Sequence, residues 1–133
     1  MPQTDAASAL KPLRSIERSE KSTTFSALIR SCGNACEVHP EVSFAAWNRA
    51  PLQHYKKAPD GKCERLALIQ AHFGENAFDI VRLRYRKGVA SDDDIADAFA
   101  ALWTAERIAT GRAQTLPAEP PVDSAGLRME IVY

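Results

Sequence analysis

The sequence has no apolar run approaching the ~18–20 residues of a membrane span, and it opens without the basic-then-apolar pattern of an export signal. It also has no net charge, because 17 Lys and Arg stand against 17 Asp and Glu. That balance excludes a wholesale basic coat for nucleic acid, while leaving a local basic groove open. Cysteine is scarce and odd in number, three in 133 residues, which argues against a disulfide framework. Reduced thiols in a cytoplasmic setting, away from any membrane, are the expectation. Neither an internal repeat nor a low-complexity tract is present. What the chain does have is ordinary: 45% hydrophobic and 26% charged residues, enough for one globular domain. At this length a chain buries roughly two-thirds of its unfolded surface without staples.

The chain divides unevenly. Residues 1–24 mix Ser, Thr, Lys, Arg and Glu with isolated aliphatics, and Pro12 weakens the one helical face available; this segment reads as a poorly ordered arm. Residues 25–133 carry the ordered part. Phe25, Leu28 and Ile29 share a face of a short helix that ends near Gly33 and Asn34. Cys36 to His39 alternates in polarity and stops at Pro40, the pattern of a short strand with Glu37 and His39 on one side. Glu41 to Trp47 reads as a short helix with Pro40 in its first turn. Asn48 to Gly61 is a basic loop, punctuated by Pro51, Pro59 and the Asp60-Gly61 pair.

Three further helices and a strand follow. Lys62 to Phe73 has Leu66, Ile69 and Phe73 on one stripe, with Gly74 closing it. Ala77 to Arg86 places Phe78, Val81 and Tyr85 inward and Arg82, Arg84 and Arg86 outward. Asp92 to Thr110 has Ser91 as N-cap, three aspartates in its first turn and Gly111 after its end. After a proline-rich loop, Leu127, Met129, Ile131 and Tyr133 form one apolar face of a terminal strand. Strands at both ends with helices between them predict an α/β layer structure with few short strands and several helices.

The acidic residues are the sharpest chemical feature. Asp92 and Asp93 suit the positive end of a helix. Asp97 does not fit that explanation, because it lies a turn further in and stacks on Asp94 at i, i+3, where like charges repel unless a cation sits between them. Ala98, Ala101 and Ala105 make a small-residue face that would press closely on a sheet. An acidic pair at the end of such a face is well placed to meet a carboxylate from a strand end. Glu37 is the candidate, although on pattern alone it reads as an exposed residue beside a loop. Oxygen ligands from a strand and a helix suit a hard cation, Mg2+ or Mn2+, of the kind that assists phosphodiester hydrolysis.

These residues fall into ordered blocks: Glu37-Val38-His39-Pro40-Glu41-Val42-Ser43-Phe44, then Lys56-Lys57-x-Pro59-x-Gly61 with Glu64-Arg65-Leu66-Ala67-Leu68. Next comes Asp93-Asp94-x-x-Asp97-Ala98-x-Ala100-Ala101-x-Trp103-Thr104-Ala105, and last Gly126-Leu127-x-Met129-x-Ile131-Val132-Tyr133. The series resembles the uncharacterised family numbered 429 among domains of unknown function, predicted nucleases of ribonuclease-H-like fold. The resemblance implies that Glu37, Asp94 and Asp97 are the catalytic metal carboxylates. His39, Glu41, Lys56 and Lys57 match positions of less defined role: the lysine pair would meet substrate phosphates or stay solvated, and His39 would position a water or hydrogen-bond beside the strand end.

The glycine-rich first strand and its aspartate, with which the family pattern opens, have no counterpart here. The expectation is therefore the C-terminal half of a ribonuclease-H-like domain, its N-terminal sheet strands missing and its nuclease activity impaired. Its partners would be nucleic acid and a chain that supplies those strands, or a second copy through exposed sheet edges. Two other readings stand beside this one. Cys32-x3-Cys36 with His39 and Cys63 has a spacing permitted for zinc. Arg82, Arg84, Arg86 and Lys87, with Lys56, Lys57 and Lys62, would make a non-catalytic binding module for nucleic acid or protein.

Overall fold

The computed structural model describes residues 35–133; the arm expected at 1–24 and the helix expected on Phe25, Leu28 and Ile29 lie outside them. The described residues are mixed α/β, with four helices and two short strands: α1 (Pro40–Asn48), α2 (Pro59–Phe73), α3 (Ala77–Arg84), α4 (Asp92–Ala109), β1 (Thr115–Leu116) and β2 (Ile131–Val132). No helix among them is long and apolar enough to cross a membrane.

The helices start where the chain chemistry directs. Pro40 and Pro59 each occupy the first helical turn, where a missing N–H costs nothing. The second of these corrects the sequence expectation: Pro59, Asp60 and Gly61 belong to α2 rather than to a loop. In α4, Ser91 and Asp94 form a reciprocal capping box, with the Asp94 N–H donating to Ser91 Oγ at 3.2 Å and the Ser91 N–H donating to Asp94 Oδ2 at 2.7 Å.

The core sits where α1, α2 and α4 meet. Phe44, Ile69, Ile95, Ala96, Phe99 and Ala100 are its buried residues, and Phe73, Phe78 and Val81 pack against them. A parallel aromatic stack crosses from α1 to α4: Phe44 to Trp47 at 5.8 Å and Trp47 to Trp103 at 5.3 Å between ring centroids. Beside it, the fully buried hydroxyls of Ser43 and Thr104 bond to each other at 2.9 Å, so neither is orphaned. The buried stripe of α4 is thus Ile95, Ala96, Phe99, Ala100, Trp103 and Thr104. The alanine face expected to press on a sheet, Ala98, Ala101 and Ala105, is exposed. Burying the aromatic stripe removes far more apolar surface from water than burying three methyl groups.

Two further expectations are corrected on α3. It ends at Arg84, so Tyr85 leaves the helical period and is exposed. Arg82 turns inward instead of outward: it donates to the carbonyls of Ala90 and Tyr85 and to Asp92 Oδ1, clamping α3 to the start of α4.

The sheet is smaller than expected. β1 and β2 pair antiparallel, Thr115 opposite Val132 and Leu116 opposite Ile131, so a strand lies at the head of the proline-rich loop. Of the terminal residues Val132 is the buried one and Met129 is exposed, the reverse of the face read from alternation. Residues 36–39 form no strand; Pro40 turns the chain into α1 at once. One rung remains, because alternate N–H groups of a strand point to opposite edges. The Tyr133 N–H goes to Gln114 on the β1 side, and the Val132 N–H goes to the Glu37 carbonyl at 2.8 Å on the other.

Candidate functional site

Asp97 lies one turn inside α4, half-buried, with the Lys56 ammonium 3.8 Å from its Oδ2. Loss of hydration raises its pKa first. Lys56 opposes that rise, while the charges of Glu41, Asp93 and Asp94 add to it, leaving Asp97 above the ordinary aspartate range. Three carboxylates from α1 and α4 therefore bear on Asp97, and Lys56 is the cation set against them there. The ion pair is loose, with about a third of each side chain exposed (34% and 32%), and contributes little to stability.

Asp94 is in a different state. Its Oδ2 accepts from the Ser91 N–H at 2.7 Å and the Ser91 hydroxyl at 2.8 Å. Those bonds, with a weaker contribution from Lys56 set against some desolvation, hold it below the ordinary range. The i, i+3 repulsion anticipated between Asp94 and Asp97 is present, and the cap absorbs part of it by occupying one Asp94 oxygen.

The loop that carries Lys56 is pinned at both ends. Glu64 accepts from the backbone N–H groups of Gln53 and His54, each at 3.1 Å, and pairs with the His54 ring. Desolvation raises the Glu64 pKa, but these hydrogen bonds outweigh it and leave it lowered. At the other end a Cβ placed on Gly61 would lie 2.1 Å from the Tyr55 carbonyl oxygen, so only glycine lets the loop lie this close to α2. One turn on, the buried Arg65 donates to Glu41 Oε1 at 3.3 Å, to Glu41 Oε2 at 2.5 Å and to the Gly61 carbonyl at 2.7 Å. Its guanidinium also lies over the Phe44 ring, 5.6 Å from the centroid.

The site residues expected from sequence therefore separate. Asp94, Asp97 and Lys56 are brought together on α4 and the loop. Glu37 is exposed, and its carboxylate is not among the charges acting on Asp97; Glu41 is, from the same block four residues on. His39 precedes α1 and does not cap it with its ring; its carbonyl accepts from the Ser43 N–H at 3.0 Å. Lys57 is exposed. Cys36 and Cys63 are exposed, and Cys32 lies outside the described residues. Sequence reasoning passed over Arg65 as a determinant of the site. The signal was the row Gly61, Arg65, Ile69 at i, i+4 spacing, which places an arginine on the buried face of α2.

Among the described residues no group of three or more His, Cys, Asp or Glu side chains is arranged to hold a metal ion. A hard divalent cation takes six or more oxygen ligands. The oxygens here are partly taken: both of Glu41 by Arg65, one of Asp94 by Ser91. The acidic turn of α4 alone thus falls short of a cation site.

The geometry defines a helix-rich α/β domain with a carboxylate cluster facing a lysine held on a pinned loop. The family described as "Protein of unknown function (DUF429)" matches residues 14–122, and the chain belongs to it. That match begins inside the segment read as an arm and takes in the loop, α2 and the acidic turn of α4. No curated protein and no solved structure matches the chain.

Proposed function

We propose that the acidic turn of α4 and the Lys56 loop are one wall of a site that hydrolyses phosphodiesters. One observation supports this above the others: Asp97 lies among the charges of Glu41, Asp93 and Asp94, and its own cation partner among the described residues is a loosely held lysine. Such an arrangement works against folding, and carboxylates perturbed in this way cluster at functional sites. Lys56 supplies a charge that a substrate phosphate can take over from Asp97, because a pair at 3.8 Å between part-exposed side chains exchanges at little cost. Asp97 is then left for a positively charged or proton-bearing group of the reaction.

The reading carries a requirement. Mg2+ or Mn2+ is held only if Asp94 and Asp97 are joined by further oxygen donors from beyond residues 35–133, whether in the same chain or another. Glu37 becomes such a donor only if its side chain is drawn toward α4 in that assembly. The wider reading, a ribonuclease-H-like nuclease of which this chain contributes the C-terminal part, rests on the same requirement.

The test is thermal unfolding of the full chain in rising Mg2+ and Mn2+, run beside binding and cleavage of labelled single-stranded and duplex DNA and RNA. The expected outcome is a cation-dependent rise in Tm that Asp97→Asn removes, and nucleic-acid binding that weakens with salt and with Lys56→Ala. Binding without cleavage, unchanged by Asp97→Asn, would favour a plain binding module. If neither cation nor nucleic acid registers, the proposal fails.

A further inference from the structure

A cavity of about 170 Å3 opens among α2, α3, α4 and the Lys56 loop. Its base is apolar, formed by Leu66, Ile69, Phe78 and Ala96. Lys56 lines it too, so one ammonium serves both the cavity and Asp97. The other charged residues around it differ in what they have left to offer. Asp92 is taken by Arg82 and Lys87, and Arg65 by Glu41. Lys62 has no ion pair among the described residues, and Asp93 has neither an ion pair nor a side-chain hydrogen bond there. What remains is an apolar hollow flanked by two ammonium groups and one acceptor carboxylate.

We infer that this cavity receives one unpaired nucleobase of a single-stranded nucleic acid, with the flanking phosphates on Lys56 and Lys62. The inference rests on the phosphodiester reading above, since Lys56 belongs to both. The volume is well below the roughly 300–1,000 Å3 of pockets that enclose a whole drug-sized ligand, so it suits a single ring system with the sugar and phosphate outside. A nucleotide, a flat ring system whose phosphates stand one sugar away, matches the two kinds of lining. A base inside a duplex is stacked and paired, and it must be unstacked or already single-stranded to enter such a hollow. Asp93, as a carboxylate, accepts hydrogen bonds only. It therefore favours bases with an exocyclic amine, such as cytosine, over uracil, which presents a carbonyl at that position.

The experiment titrates the full chain with CMP, UMP, cytidine and inorganic phosphate, followed by calorimetry and amide chemical shifts. CMP is expected to bind more tightly than cytidine or phosphate, and about tenfold more tightly than UMP, the scale of one hydrogen bond to a charged group. Asp93→Asn should erase that preference. Leu66→Trp, which fills the hollow, should abolish CMP binding. Lys62→Glu, at an exposed position, should weaken it while leaving circular dichroism and Tm unchanged. CMP binding untouched by both Leu66→Trp and Lys62→Glu overturns the inference, as does phosphate binding as tightly as CMP or the absence of CMP binding. The two readings part cleanly. CMP binding in a chain whose Tm no cation raises and that cleaves no polymer keeps the base pocket and sinks hydrolysis. Oligonucleotide cleavage indifferent to Leu66→Trp and Lys62→Glu does the reverse.

Discussion

Glu41→Ala should destabilise the fold more than Arg65→Met, although Arg65 is the buried partner. The side chains are 38% and 6% exposed, respectively. Removing Glu41 leaves a guanidinium inside the protein with one carbonyl acceptor and one aromatic face, and no countercharge. Breaking a fully buried pair in this way costs about 3–5 kcal/mol, and an exposed pair is worth about 0–1. Water reaches the Glu41 side, so about 2 kcal/mol is expected. Arg65→Met keeps an unbranched apolar stem against Phe44, and the released carboxylate turns to solvent; about 1 kcal/mol is expected. For a domain of this size the two values correspond to Tm losses of about 8 and 4 °C. Urea unfolding followed by the fluorescence of the stacked Trp47 and Trp103 measures both. The double variant should fall short of additivity by about 1 kcal/mol. An Arg65→Met cost equal to or above that of Glu41→Ala, or strict additivity, would refute the reasoning. A second readout is built in, because Glu41 helps to raise the Asp97 pKa, and Glu41→Ala should lower it in a carboxyl NMR titration.

Three other outcomes are expected. Gly61→Ala forces a Cβ against the Tyr55 carbonyl, a backbone atom that cannot rotate away, and should cost about 1–3 kcal/mol. The same shift should move Lys56 from Asp97 and raise the Asp97 pKa further, which NMR detects. The pH dependence of stability should carry two opposed contributions. Asp97, raised on folding, binds more protons folded than unfolded, so its contribution is fully favourable below the ordinary aspartate pKa and is lost as pH rises through its folded value. Asp94, lowered on folding, contributes above the ordinary value and loses that contribution as pH falls through its folded value. Asp97→Asn should accordingly raise Tm at neutral pH and remove the first contribution alone; a lower Tm at neutral pH would contradict the crowding argument. Ser91→Ala should cost about 1 kcal/mol, and a carboxyl titration should find the Asp94 pKa only part of the way back to its ordinary value, because the residue 91 N–H still donates to it.

Much of the block from Gln53 to Arg65 resolves into support for one lysine. Glu64 pins the near end of its loop, Gly61 lets the far end lie on α2, and Arg65 ties α2 to Glu41 of α1. These residues touch no candidate reactive group except through what they hold in place. A loop without such anchors would carry Lys56 through many positions, and the pairing with Asp97 would dissolve into solvent. The lysine pair and the acids were legible as a motif; the distribution of labour among them was not, because spacing along the chain says nothing about which side chain of a block faces a neighbouring helix.

By itself the sequence determined what is local. Prolines at first turns, the Ser91 cap with its aspartates and the closing Gly74 and Gly111 set where α1, α2 and α4 start or stop, since those signals act within a few residues. The mixed α/β class and the Asp94–Asp97 pair follow from the same short-range patterns. Only the tertiary structure decided which face of α4 is buried, that an arginine sits inside, that Glu41 rather than Glu37 acts on Asp97, and that the strand expected at 36–39 is a single rung. Each of those outcomes is a competition between contacts made by residues distant in the chain. The winner is the arrangement that buries the aromatic stack and still satisfies its polar groups, a balance no window of sequence contains.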